Sequence, residues 1–215
     1  MKQIFPGIFK EGRQLYTINL VPGKKVYGEK LVKKDCEYRE WEPNRSKLAA
    51  AIVNGLKEVS IKEKAKVLYL GASTGTTCSH VSDIIGHDGV IYAVEFSERV
   101  FHPLINLAKE RKNIVPILAD ARKPEAYSFV EYCDVVFVDI ADPQETEIAI
   151  RNAEEFLDRG YIMIAIKSQS IDVTKKPEQI YKEEAKKLEE AGFTVLQTID
   201  LEPHEEKHAF ILARK

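Results

Sequence analysis

Five residues at the ends of apolar runs carry the possible chemistry of this 215-residue sequence. "KVLYLG" ends at Gly71, "VIYAVEF" delivers Glu95, and "IVPILAD" ends at Asp120. "DVVFVDI" holds Asp139, and "YIMIAIK" ends at Lys167. A glycine lets a ligand approach the backbone closely. A carboxylate accepts hydrogen bonds from a ribose or an exocyclic amine, and a lysine neutralises charge or moves a proton. One acid at one strand end often does no more than cap the next helix. Five such residues at five successive strand ends describe the rim where open parallel sheets hold their ligands.

Glu95 follows Gly71 by 24 positions. An acid roughly 20 residues beyond such a glycine commonly meets a ribose. The ligand read from this spacing contains adenosine. The loop after Gly71 is "GASTGTT", which matches neither G-x-G-x-x-G nor G-x-x-x-x-G-K-[ST]. A dinucleotide brings a pyrophosphate, which wants that tight turn and helix amides. S-adenosylmethionine has no phosphate and needs close backbone approach with small polar side chains, which Thr76 and Thr77 offer. The loop therefore favours S-adenosylmethionine over a dinucleotide, with Asp120 available to the adenine amino group.

The elements that must position these residues follow from the hydrophobic pattern. Residues 1–42 read as short strands: "RQLYTINL" and "KKVYGEKL" have strand composition and "CEYREW" alternates, with turn signals between them. Lys24, Lys25, Lys30, Lys33 and Lys34 make the one dense basic segment, read as edge-strand lysines rather than an RNA-contacting face. A helix is predicted from an Asn44 N-cap, with Leu48, Ile52, Leu56 and Val59 on one face. Strands and helices then alternate, with helices over 76–85, 98–110, 144–158 and 178–191 and a brief one after Asp120. Apolar strands alternating with helices predict a parallel, doubly wound α/β sheet. The last two strands, "FTVLQTIDL" and "KHAFILARK", are joined by "EPHEE", too short for a parallel crossover, so they pair antiparallel. The expected organisation is a small antiparallel β domain over 1–43 and a Rossmann-like methyltransferase domain over 44–215.

Composition sets limits on function. The sequence is 44% hydrophobic and 31% charged, enough for one buried core, and its net charge is −2. A protein that grips nucleic acid alone carries a basic excess, which is missing here. Cys36, Cys78 and Cys133 are far apart, with no C-x-x-C, so no zinc site or disulfide framework is expected, and reduced thiols fit a cytoplasmic protein. No signal peptide or membrane-spanning run is read from the sequence.

The blocks "EPNRSKLAAAI", "KVLYLGASTGTTCSHVSDIIG", "VIYAVEFSERV", "NIVPILADAR", "DPQETEIAIRNAEEFL", "IKSQSID" and "LEPHEEKHAFIL", in this order, resemble the compact archaeal-type form of the fibrillarin family. The likeness spans nearly the whole chain. It implies S-adenosylmethionine-dependent 2′-O-methylation of ribose in rRNA and tRNA. It also implies a box C/D guide RNA ribonucleoprotein with a Nop-domain scaffold protein and a kink-turn-binding protein. By resemblance, Lys47, Asp139 and Lys167 match the catalytic lysine–aspartate–lysine set, and His208 a histidine sometimes added to it. The implied cofactor contacts are Gly71, Ala72, Thr76, Thr77, Glu95, Phe96, Asp120, Ala121, Asp139, Ile140, Ala141 and Asp142. Two departures are visible: the glycine- and arginine-rich tail of eukaryotic fibrillarins is missing, and Asp142 stands where the family commonly has Gln.

A ribose 2′-hydroxyl is a weak acid, so a base or an electrostatic stabiliser must sit beside it. Lys167, ending an apolar strand, is read as that base, oriented by Asp139 on the neighbouring strand. Lys47 falls in a first helical turn, where the dipole disfavours a cation. The competing classes fare worse. A dehydrogenase lacks its pyrophosphate turn, and a hydrolase lacks a G-x-S-x-G elbow. A non-catalytic RNA-binding or scaffold subunit of the same fold needs a basic face and has no use for the Lys/Asp/Lys set.

Overall fold

The computed structural model describes all 215 residues, Met1–Lys215. The N-terminal strands are β1 (Lys2–Phe5), β2 (Ile8–Glu11), β3 (Gln14–Ile18), β4 (Leu31–Lys33) and β5 (Glu37–Trp41), in one antiparallel sheet of order β1-β2-β3-β5-β4. The strand expected within "KKVYGEKL" begins only at Leu31. Before it, the Glu29 carboxylate accepts the N–H groups of Val26 and Tyr27, and Glu37 accepts that of Gly23. Carboxylates take donors that a strand would give to its neighbour, and Gly28 turns the chain at φ +93°. β4 is an edge strand, and its flanking lysines sit exposed as expected for an edge.

The second sheet contains β6 (Lys66–Leu70), β7 (Val90–Glu95), β8 (Ile114–Leu118), β9 (Val135–Val138), β10 (Tyr161–Lys167), β11 (Thr194–Asp200) and β12 (His208–Arg214), in the order β11-β12-β10-β9-β6-β7-β8. β6 to β10 are parallel, and β12 pairs antiparallel with both β10 and β11. The helices are α1 (Lys47–Val53), α2 (Thr76–Ile85), α3 (Glu98–Glu110), α4 (Glu145–Phe156), α5 (Ser168–Ile171) and α6 (Pro177–Glu190). No helix is long and apolar enough to cross a membrane.

Alternation along β6 divides the core in two. Val67 and Tyr69 join the apolar cluster that holds α1, α2 and Ile8, Leu15 and Trp41 of the small sheet. Leu68 and Leu70 point the other way, into the cluster beneath α4 and α6. Both faces are covered, so β9 reads VVFV with every residue buried.

The helix after the small sheet is shorter than predicted. Pro43–Arg45 form a 3₁₀ turn, and Ser46, not Asn44, is the N-cap, its hydroxyl accepting the Ala49 N–H. Asn44 instead bonds His204 at 2.7 Å. Gly55 at φ +101° follows the end of α1, so Leu56 and Val59 reach the core from a loop. The brief helix after Asp120 is a 3₁₀ turn, Pro124–Tyr127.

Candidate active site

The strand order reverses between β6 and β9. From β6 the chain moves outward to β7 and β8, then returns to β9 and moves out the other way. The crevice at such a reversal is where doubly wound sheets bind ligands. Gly71 and Asp139 face each other across it. A Cβ on Gly71 would lie 2.3 Å from the Asp139 carbonyl oxygen, and the residue sits at φ +80°. Only glycine fits, which explains the first of the five strand-end residues.

Above this point lies a cleft of about 440 Å³. It is lined by Lys47, Gly71, Ala72, Thr76, Thr77, Asp139, Ile140, Ala141, Lys167 and His208 among the predicted residues, together with Arg45, Tyr69, Ser73, Thr74, Ala165 and Glu205. A second hollow of about 170 Å³ holds Phe96, Asp120, Ala121 and Asp142, and shares Ile140 and Ala141 with the first. Phe96 is 72% exposed, an aromatic face held at the rim of this hollow. Glu95 lines neither, but its carboxylate is already aimed. Oε2 accepts the Ser73 N–H at 2.9 Å and Oε1 the Ser97 N–H at 2.8 Å. Each oxygen keeps a lone pair for a hydroxyl. Asp120 is engaged: Arg122 forks onto it with contacts of 2.8–3.0 Å, so an adenine amine would meet a carboxylate already holding a guanidinium. Thr77 bonds the Ser46 hydroxyl at 3.0 Å, which ties the start of α2 to the cap of α1.

The charged set differs from the sequence reading in one respect. Asp139 does not orient Lys167; its Oδ1 accepts from the Lys47 ammonium at 2.6 Å. Both side chains are only about a fifth exposed, 22% and 21%. Burial pulls the Lys47 ammonium down, but the charge and hydrogen bond of Asp139 outweigh it, so its pKa is raised. Lys47 is thus a fixed cation. The unfavourable first-turn position of Lys47 is offset by this partner rather than by the helix.

Lys167 and His208 are opposite residues in the antiparallel pairing of β10 with β12, and both line the cleft. His208 Nδ1 lies 2.7 Å from the Glu206 carbonyl oxygen. A carbonyl only accepts, so Nδ1 carries the proton and Nε2 of the neutral ring is an acceptor.

Sequence reasoning passed over Tyr69, Arg45 and Glu205. Tyr69 had a signal, as the one hydroxyl within the apolar run "KVLYL". Arg45 directly precedes the true N-cap, and Glu205 lies in a loop whose path depends on tertiary contacts.

The fibrillarin family model matches residues 1–215. The chain belongs to the fibrillarin family. A Methanopyrus kandleri relative named fibrillarin-like rRNA/tRNA 2′-O-methyltransferase is 53% identical over 214 residues, 98% of this chain and 92% of that protein. Among solved structures, Aeropyrum pernix fibrillarin with natively bound S-adenosyl-L-methionine superposes with a TM-score of 0.87 at 47% identity, covering 93% of this chain and 88% of that one. A fibrillarin/Nop5p complex gives 0.91 at 41% identity, covering 99% of both chains. The residues of this fibrillarin-family chain fit S-adenosylmethionine. Gly71 leaves a cradle that a Cβ would fill, Glu95 offers acceptors suited to a ribose diol, and Phe96 offers a face for a purine. The fold is the S-adenosylmethionine-dependent methyltransferase fold of these relatives.

Proposed function

We propose that this protein methylates ribose 2′-hydroxyls of rRNA and tRNA with S-adenosylmethionine, as the catalytic subunit of a guide RNA–protein complex. The observation that carries this reading is the joint lining of one cleft by Lys47–Asp139, Lys167 and His208 beside the Gly71 loop. The names of the relatives support the reaction, and the fibrillarin/Nop5p complex supports a Nop-domain scaffold partner. We assign a box C/D guide RNA and a kink-turn-binding protein as the remaining members, and the cytoplasm as the location.

When bound, the cofactor supplies a sulfonium methyl that is already electrophilic. Gly71, Ala72, Thr76 and Thr77 would hold its amino-acid end, Glu95 its ribose, and Phe96, Asp120, Ala121 and Asp142 its base. The protein must align the acceptor and make its hydroxyl more nucleophilic. Lys47 is committed to Asp139 and stays charged, so it orients and stabilises rather than takes a proton. Lys167 makes no ion pair and is the group that removes the 2′-hydroxyl proton. His208, opposite Lys167 on β12, lines the same rim.

The net charge of −2 leaves recognition to partners. Proteins with a basic excess bind RNA non-specifically with dissociation constants of roughly 10⁻⁴–10⁻⁶ M. The test is methylation of a matched guide–target pair over a salt series, with and without the other subunits. Transfer to one ribose only in the assembled complex is the expected result. Efficient site-specific transfer by the lone protein overturns partner dependence, and no transfer in the complete assembly overturns the reaction.

A further inference from the structure

Below the floor of the cleft lies a carboxyl group that this chemistry does not use. Glu145 is the first residue of α4, where an acid ordinarily meets solvent and complements the helix dipole. Here it is fully buried. Its Oε1 accepts the backbone N–H of Lys167 at 2.8 Å, and its Oε2 has no partner at all. The ionisable neighbours come from every element around it. Lys167 is on β10, Asp139 follows β9, Lys47 is on α1, and Glu184 is on α6 with Lys187 bonded to it at 2.8 Å. Burial pushes the Glu145 carboxyl up, to about 9. The Lys167 N–H opposes that rise, the charges of Glu184 and Asp139 add to it, and Lys47 opposes it again.

We propose that Glu145 is a positioning residue that works as a neutral carboxylic acid: Oε1 pins the Lys167 peptide at the cleft, and the proton on Oε2 leaves Lys47 wholly to Asp139. An ionised Glu145 would be a third carboxylate beside Asp139 and Glu184. It would compete for the Lys47 ammonium and favour a charged Lys167, which cannot take the ribose proton. Its bare oxygen would also be an anion with no donor, the costliest state for a buried carboxyl. A neutral acid keeps the bond to the peptide without that charge, and glutamine can do the same. This assignment rests on the methyl-transfer reading.

The experiment compares wild type, Glu145→Gln and Glu145→Leu in the assembled ribonucleoprotein. The first measurement is infrared difference spectroscopy between the wild type and Glu145→Gln at pH 7. A protonated-carboxyl band that disappears in the glutamine variant is expected, and its absence from the wild type overturns the proposal. In turnover, Glu145→Gln should stay within about twofold of wild type, while Glu145→Leu falls roughly tenfold to 100-fold through misplacement of Lys167. Cofactor affinity should change by less than about threefold in both. Equal losses in both variants overturn the proposal, and the infrared and glutamine results decide if the leucine variant does not fold. The pH profile adds a readout that bulk packing would not move. A carboxyl whose folded pKa is raised from 4.5 to about 9 contributes stability that is full below the lower value and lost as pH rises through the upper one. Wild-type unfolding midpoint should therefore fall across that window, and turnover should fall as pH nears the upper value, more steeply than those of Glu145→Gln; parallel profiles overturn the proposal. If the wild-type assembly transfers no methyl group, the reaction reading fails, while the infrared band and unfolding midpoints still judge Glu145.

Discussion

Two charged clusters lie near opposite ends of α2, one built of arginines around Asp83 and the other of lysines around Asp139. Around Asp83, four donors converge: Thr17 at 2.7 Å, the Leu20 N–H at 2.9 Å, Arg39 at 2.8 Å and Arg111 at 2.6 Å. Arg39 also donates to buried Glu29 at 2.7 Å, and Glu29 takes two backbone N–H groups. Each charge is opposed, and the side chains are out of water. Around Asp139, by contrast, Lys47 makes one ion pair, Lys167 makes none, and Glu145 keeps a bare oxygen. The first cluster spends its hydrogen-bonding capacity within the protein and so fastens the small sheet to α2. The second leaves capacity over, which in a buried polar region is expensive unless something else comes to use it.

The comparison can be broken most decisively at its open end. Asp139→Ala should lower methyl transfer in the assembled complex by about 10²–10³-fold, the scale for removing one electrostatic partner of a reacting group. It leaves Lys47 unopposed and removes a wall of the cofactor cleft, so cofactor affinity should fall as well. Lys167→Ala should lose turnover to a similar degree with affinity near wild type. Single-turnover rates with calorimetry separate the two, and near-normal turnover in Lys167→Ala removes Lys167 as the base. At the closed end, Asp83→Ala should leave two buried guanidinium groups under-opposed and cost about 3–5 kcal/mol of stability by denaturant unfolding. Cofactor affinity per folded molecule should not change. A mild stability loss with damaged binding would mean that the clusters are not separate in role.

The smallest effect is a pH dependence within the closed cluster. Burial, with the charges of Arg39 and Arg111, holds the His80 ring well below its usual 6.5. The ring stays neutral, bonded to Thr17 at 2.8 Å and Tyr27 at 2.7 Å and stacked on Trp41. The unfolded chain takes up a proton below about 6.5 and the folded one does not, so stability is full above that value and declines as pH falls toward the lowered pKa. Thermal unfolding from pH 7 to 5 should show this decline, and His80→Gln should flatten it.

How far the sequence foretells this molecule depends on which forces set each part. The apolar runs of β6, β7, β9 and β10 were readable because both faces are buried, and α3 because its amphipathic period survives, whereas α2 is buried on nearly every side and showed itself only through the glycine- and threonine-rich loop before it. The region 23–30 defeated strand reasoning because Glu29 gathers the N–H groups of Val26 and Tyr27 and Glu37 that of Gly23. The Asp139 partner was misread because strand-end adjacency favours Lys167, whereas the 3₁₀ turn at Pro43–Arg45 swings Lys47 into reach. Glu145 was invisible as a site residue, since an acid in a first helical turn is the commonest of surface features.

The placement of β12 has a consequence for how the chain assembles. β11 bonds to no strand except β12, and β12 lies between β11 and β10. β11 therefore cannot join the sheet ahead of β12. The pair is joined by a short turn and closes at little entropic cost, so it can form as a local hairpin and dock onto β10 in one event. That docking delivers His208 and Glu205 to the cleft. A population trapped before it would hold a complete Gly71 loop, yet lack the bonds from Asn44 to His204 and from Asn54 to Asp200 that seat α1 and its Lys47, and present a rim open on one side.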